Sequence, residues 1–400
     1  MQPTPTLRED SPLFEHRINL VRPTLPGFSD LADDVRDILS SGMVTKGRHV
    51  CAFEAAIAEH LGVKHAVAVS SCTTGLMLTY QGLELTGDVV VPSFTFMATV
   101  SALIWAGLRP VFADVDAGAT NLDLVAAEAA ITPNTSAIVA VHNFGNPADI
   151  IGLQEVADRH GLRLIFDAAH GFGACYQGVP VGSQGNAHIF SLSPTKLLIA
   201  GEGGIVATND DLLAENVRFG REYGNSGNYD SAFAGINARM PEFNALMGLH
   251  SLAMLEDAAR RRNEVAAIYH TELGRLPGMG FQKVRPGNRN SYKDFSITVE
   301  PELFGLTRDE LVLALAAENV DTRKYYDPPV HRQTAYRQYD DGRPLPNTDW
   351  LSTHSLSLPI WSSMSDEVAL GICTAVQQIY ANSATVRRRL SNYHEQELGG

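Results

Sequence analysis

This 400-residue sequence lacks several features, and each absence narrows its reading. Its four cysteines, Cys51, Cys72, Cys175 and Cys373, stand far apart and form no C-x-x-C pair. That spacing suits neither a disulfide scaffold nor a zinc site, so packed thiols of a reduced cytosolic protein are expected. No histidines occur at H-x-x-x-H or H-E-x-x-H spacing, and no metal is expected. Apolar runs fall well short of the roughly 18 residues that a membrane-spanning helix needs. The opening MQPTPTLREDSPLFEHR is polar and carries acids, unlike a secretory leader. The expectation is therefore a cytoplasmic protein with no membrane partner. Basic charge is also scarce: 31 Lys and Arg stand against 45 Asp and Glu, a net charge of −14. A general nucleic-acid binder needs a basic footprint to displace counterions, so none is expected here. One anionic small molecule remains compatible, because a few local cations can hold it. There is no internal repeat and no low-complexity block.

What is present is an ordinary globular mix, 44% hydrophobic and 19% charged, in a chain long enough for two packed units. Short β-rich runs occur at 65–70 (HAVAVS), 88–92 (DVVVP), 110–115 (PVFADV), 136–142 (SAIVAVH), 162–167 (LRLIFD), 187–191 (AHIFS) and 204–208 (GIVAT). Helix-length segments at 48–61, 73–83, 95–106, 121–131 and 150–160 lie between several of them. Such alternation predicts an α/β fold with a mostly parallel seven-stranded sheet covered on both faces. The connections before 187 and 204 are too short for a helix, which predicts a mixed sheet at one edge. Residues 242–275 read as one long helix, with Leu246, Leu249, Leu252, Leu255 and Ala259 at helical spacing. The stretch 276–294, rich in Gly, Pro and charge, reads as a boundary. A smaller α+β unit is expected beyond it, with strands at 294–299 and 320–325, helices at 307–319 and 365–381, and a Pro-rich loop at 326–347. The expected division is 1–275 and 276–400.

Ligands of open α/β sheets bind beyond the carboxyl ends of the strands. Ser70-Ser71-Cys72-Thr73-Thr74-Gly75 runs from the first strand into a helix, either as a plain N-cap or as an anion site of free N–H groups. Phe96, after the second strand, either packs in the core or covers the face of a flat ring. Asp167 ends a buried run and needs a cationic or proton-donating partner, unless it only caps the next segment. His170 follows three residues later. Lys196 sits among small hydroxyl residues before a Gly-rich turn; if buried, its amine turns neutral and can attack a carbonyl. Taken in order, a phosphate cradle, a ring aromatic, a strand-end Asp and a Lys are the parts that a pyridoxal 5′-phosphate site requires.

With these parts in place, the sequence resembles the DegT/StrS family of sugar aminotransferases, of the fold-type-I (aspartate aminotransferase-like) class, from about residue 30 to 385. The matching stretches are 71–76, 91–98 (VPSFTFMA), 110–116 (PVFADVD), 167–173 (DAAHGFG), 190–196 (FSLSPTK) with 202–204, and 235–248 (GINARMPEFNALMG). The resemblance implies that Thr73, Thr74 and Ser191 contact the cofactor phosphate, Phe96 stacks on its ring, and Asp167 pairs with the ring nitrogen. His170 would lie near the cofactor's 3-hydroxyl, and Lys196 would hold the cofactor as a Schiff base. Asn237 would reach the cofactor of a second subunit, making a homodimer with shared active sites. Tyr325, Tyr326 and His331 resemble a sugar-nucleotide contact region, and Arg239 is a further substrate candidate at the subunit boundary.

His170 departs from the Gln of many members. DAAH and 141–147 (VHNFGNP) resemble the branch that aminates C4 of dTDP-4-keto-6-deoxyglucose in secondary-metabolite pathways. The implied reaction moves the amino group of L-glutamate onto that keto carbon. A 3-keto sugar, a UDP-linked sugar or a keto-inositol are alternative acceptors. A dehydratase of the same family, marked by His at the lysine position, and a non-catalytic member are the other readings. Lys196 speaks against the dehydratase.

Overall fold

The computed structural model describes residues 11–398. All seven β-rich runs form one sheet: β1 (His65–Val69), β2 (Asp88–Pro92), β3 (Arg109–Ala113), β4 (Thr135–Val141), β5 (Arg163–Asp167), β6 (Ala187–Ser191) and β7 (Gly204–Thr208). Their spatial order is β1-β7-β6-β5-β4-β2-β3. The β2–β3, β2–β4, β4–β5 and β5–β6 pairs are parallel, whereas β7 runs antiparallel to both β6 and β1. The reversed strand is therefore internal and not at the edge that the sequence suggested. The connection from Ser191 to Gly204 is a short return, and β1 then closes the sheet outside it.

Helices cover both faces, so the strands read as unbroken apolar runs. Ala66 and Ala68 face one core with Phe53, Ile57, Phe166 and Phe190; Val67 and Val69 face the other with Leu76, Leu103, Ile189 and Val217. A third core gathers around a small antiparallel sheet of β8 (Met279–Phe281), β9 (Phe295–Val299) and β10 (Ser355–Leu358). The helices Arg308–Ala317 and Asp366–Ala381 pack there.

The long helix expected over 242–275 is two helices, Glu242–Ala253 and Leu255–Leu273, parted at Met254 (φ −94, ψ −4). One apolar run serves two bodies, and the changeover falls inside the second helix, after Ala259. Ala245 and Leu255 are buried with the large sheet, while Val265, Tyr269 and Leu273 are buried with the small one. Residues 320–325 form no strand, only single bridges from Val320 to Ile18 and from Arg323 to Ser357. Through these bridges the N-terminal segment reaches the small sheet, where Arg17 pairs with Asp321 at 2.6 Å and the Ile360 N–H donates to the Leu20 carbonyl. Among the described residues no helix is long and apolar enough to cross a membrane.

One buried acid ties the fold together near the start. The helix Arg48–Leu61 begins at Gly47, which has no capping side chain. The Glu242 carboxylate, 1% exposed, instead accepts the N–H groups of Gly47 (2.8 Å), His49 (2.8 Å) and Val50 (3.0 Å). Removing it leaves orphan donors at a buried helix start. Glu242→Ala is expected to lower unfolding stability by about 2–4 kcal/mol. Urea denaturation is the check, and an unchanged midpoint would count against this role.

Candidate active site

The carboxyl ends of β1, β2, β5 and β6 open into a cleft of about 670 Å³. Thr73, Phe96, Asp167, His170, Ser191, Lys196, Tyr325 and Tyr326 all line it. They come from positions up to 253 residues apart, and only the fold brings them together.

At one end the helix Cys72–Gly82 starts. Ser71 caps it, and Ser71 and Thr74 form a reciprocal capping box. The Thr74 hydroxyl donates to the Ser71 carbonyl at 2.9 Å, and Thr74 does not line the cleft. Helix geometry leaves the N–H groups of Cys72 and Thr73 without internal partners, which makes this turn both an N-cap and an anion seat. β7 passes close beneath it: a Cβ on Gly204 would lie 2.6 Å from the Ser71 carbonyl carbon. Only glycine lets the strand run there. Ser191, at the end of β6, adds a hydroxyl.

Asp167 ends β5 and is 5% exposed. Its Oδ2 accepts from the Thr99 hydroxyl at 2.7 Å, and its Oδ1 accepts from the Ala169 N–H at 3.0 Å and faces the Cys72 thiol at 3.8 Å. Among the described residues it has no ion-pair partner. Burial raises its carboxyl above the usual range, while Thr99, Ala169 and Lys196 pull the other way. His170 is buried with its Nδ1 unpartnered. Burial first, then Lys196 and Lys293, hold its imidazole well below the ordinary value, so the ring is neutral. Lys196 lies in the return between β6 and β7. Burial first, and then the nearby Lys293 ammonium, bring its amine down to about 8. Phe96, 51% exposed, offers an open ring face.

These features fit pyridoxal phosphate. The Asp167 carboxylate lacks a cation, His170 carries a buried polar atom without a partner, and the turn at Cys72–Thr73 suits a phosphate. A neutral amine rises with pH, so capture of the cofactor by the apoprotein is expected to climb through about pH 8 and then level off. An ordinary lysine would not level off until about 10.4. Stopped-flow absorbance across pH distinguishes the two.

The other wall comes from the chain around the small sheet: Asn19–Val21, Lys293, Asp294, Asp321, Arg323, Tyr325 and Tyr326. Lys293 and Asp294 are a buried ion pair, both carboxylate oxygens lying 2.9 Å from the ammonium, which also sits 5.6 Å from the Tyr325 ring centre. The sequence reading passed over this pair inside the 276–294 boundary stretch. Adjacent opposite charges ahead of the apolar run FSITV were the available signal. Tyr326 is buried against Phe94 and Phe144. His331 does not line the cleft; its Nδ1 lies 2.7 Å from the Ser93 hydroxyl and its N–H donates to the same oxygen, pinning the 328–333 loop to the end of β2. Asn237 and Arg239 also lie outside the cleft of their own chain. Asn237 is exposed, and Arg239 pairs with Glu222 at 3.1 Å and covers the Tyr223 ring.

Comparison with known proteins identifies the family. A model of the DegT/DnrJ/EryC1/StrS aminotransferase family matches residues 29–377. The spore coat polysaccharide biosynthesis protein SpsC of Bacillus subtilis is 35% identical over 367 residues, spanning 86% of this chain and 93% of SpsC. The crystal structure of DesI in the presence of its TDP-sugar product is similar at 36% identity with a TM-score of 0.88, covering 96% of this chain and 97% of DesI. DesV of S. venezuelae is similar at 34% identity and a TM-score of 0.83, covering 90% of this chain and 99% of DesV. The chain belongs to the DegT/DnrJ/EryC1/StrS aminotransferase family and is a pyridoxal-phosphate-dependent sugar aminotransferase.

Proposed function

We propose that this enzyme moves the amino group of L-glutamate to the C4 keto group of a nucleotide-linked 6-deoxysugar, dTDP-4-keto-6-deoxy-D-glucose, for deoxyaminosugar biosynthesis in secondary metabolism. The observation that carries this reading is the likeness to DesI, whose structure was determined in the presence of its TDP-sugar product, over 96% of the chain. His170 in the DAAH stretch and the VHNFGNP stretch support the same branch.

When bound, the cofactor supplies a carbon that takes up the amino group and a cationic ring that stores the electron pair. The chain's own residues do the rest. Cys72, Thr73 and Ser191 seat the phosphate. Asp167 keeps the ring nitrogen protonated. Phe96 covers the ring, and neutral His170 offers its unpartnered nitrogen to the 3-hydroxyl. Lys196 anchors the cofactor and then, as a neutral amine, moves the proton at the reacting carbon. Tyr325 and Tyr326 line the sugar side.

Asn237 and Arg239 complete a second subunit's site in this reading, which accounts for their place outside their own cleft. The working unit is then a cytoplasmic homodimer, and sedimentation should give twice the chain mass. Thr74, engaged in the capping box, supports the cradle from behind, and His331 acts on the sugar side through the loop that it pins. The proposed division of the chain at 275/276 puts the phosphate seat and Lys196 in the first part and the tyrosines in the second.

The test is a donor and acceptor panel with product NMR. L-Glutamate should bleach the visible absorption of the loaded enzyme, and the 4-keto sugar should restore it. Amination only at C3, or only of a UDP-sugar, overturns the acceptor assignment. SpsC favours one other destination, a surface polysaccharide, for the same amino-sugar product class.

A further inference from the structure

The hydrogen bonds around Asp167 contain a device that none of the roles above uses. Thr99 is the second residue of the helix Ala98–Trp105, fully buried, and 68 residues from Asp167 in sequence. A hydroxyl near a helix start commonly turns back to its own backbone. The Thr99 hydroxyl instead donates to Asp167 Oδ2 at 2.7 Å. Its single proton is spent there, because an ionised carboxylate can only accept. The 3.0 Å contact between the Thr95 and Thr99 hydroxyls therefore has one direction, Thr95 donating. The chain runs Thr95 to Thr99 to Asp167, and Thr95 itself lines the cleft.

The two carboxylate oxygens are held differently. Oδ1 takes a backbone N–H from Ala169, which no substitution at that position but proline removes, and the distant Cys72 thiol. Oδ2 depends on Thr99. Among the described residues, Thr99 is the only side chain giving Asp167 an O–H or N–H donor. Two anchored oxygens fix the plane of the carboxylate and leave it one direction in which to accept a further proton donor, the cleft.

We propose that Thr99 is a positioning residue: its hydroxyl, oriented by Thr95 behind it, holds Asp167 as an aligned carboxylate for the ring nitrogen of the cofactor. This rests on the reading that Asp167 meets that nitrogen. Without Thr99 the anion loses its shortest donor, and burial favours the protonated acid more strongly. The acid then competes with the ring nitrogen for the shared proton.

The experiment compares wild type with Thr99→Val, Thr99→Ser, Thr95→Val and Asp167→Asn. It uses equilibrium cofactor binding across pH and the ¹⁵N shift of ring-labelled pyridoxal phosphate in the loaded protein. Thr99→Val is expected to weaken binding about tenfold or more at neutral pH. It should also move the acid limb upward in pH and shift the nitrogen resonance towards its unprotonated position. Thr99→Ser, which keeps the hydroxyl, should restore all three. Thr95→Val should move them in the same direction but less, and it keeps the test usable if Thr99→Val folds poorly. Wild-type binding and nitrogen shift in Thr99→Val, alongside a defective Asp167→Asn, overturn the proposal while leaving the Asp167 reading intact. A Thr99→Ser as impaired as Thr99→Val assigns the effect to packing and also overturns it. Wild-type behaviour of Asp167→Asn overturns the underlying reading.

Discussion

Lys196→Ala is expected to cut turnover by about a thousandfold or more while leaving the fold intact. The amine is desolvated and lowered to about 8, and no carboxylate among the described residues pairs with it. Nothing structural hangs on it, so unfolding stability should hold or rise slightly when a charge without a partner leaves a dry site. Catalysis should fail twice. The cofactor loses its covalent anchor, and no other amine stands in the β6–β7 return to move the proton. Lys293 cannot substitute, because both oxygens of Asp294 hold its ammonium at 2.9 Å. The check is a single-turnover assay at saturating cofactor with a thermal melt of the same preparation. Turnover within tenfold of wild type would sink the assignment.

Asp167→Asn is expected to lower kcat by about a hundred- to a thousandfold. The shape is nearly unchanged, and the amide oxygen can still accept from either the Thr99 hydroxyl or the Ala169 N–H. The negative charge is what disappears. A neutral partner no longer holds the proton on the ring nitrogen, and the electron pair formed at the reacting carbon loses its sink. The two variants should part company in their spectra. Lys196→Ala removes the visible absorption of the lysine-bound cofactor, whereas Asp167→Asn keeps that absorption and loses rate. Steady-state kinetics with absorbance spectra on both proteins separate them. A kcat for Asp167→Asn within threefold of wild type would remove Asp167 from the chemistry.

The large sheet was legible in the sequence because each strand is buried on both faces and so reads as a solid apolar run. The reversal of β7 was only half legible: a short connection signals it, but its place inside the sheet depends on β1 closing outside it. The helix break at Met254 carries no Gly or Pro, so nothing in the sequence signals it. β10 was missed for a physical reason. Ser355 and Ser357 look like loop residues, yet both are buried, the first bonded to the carbonyls of Tyr325 and Leu351 and the second 2.6 Å from Ser296. Asp167 stood out because a charge after an apolar run is unusual, and Lys196 because it sits among small hydroxyl residues before a Gly-rich turn. Thr99 did not stand out. A threonine early in a helix looks ordinary until a carboxylate 68 residues away is placed 2.7 Å from it.

The cleft's two walls bear on how such an enzyme changes over generations. One wall consists of strand ends of the large sheet, where Gly204 is pressed against Ser71 and little can vary. The other consists of chain around the small sheet, including the exposed Arg323 and the half-buried Tyr325. Mutations at Arg323 and Tyr325 can retool the acceptor while Asp167 and Thr99 opposite stay as they are, whereas the Lys293–Asp294 pair on the same wall acts on Lys196 and is bound to the chemistry. A lineage can therefore acquire a new sugar by drift at Arg323 and Tyr325 in a cleft whose reaction is inherited.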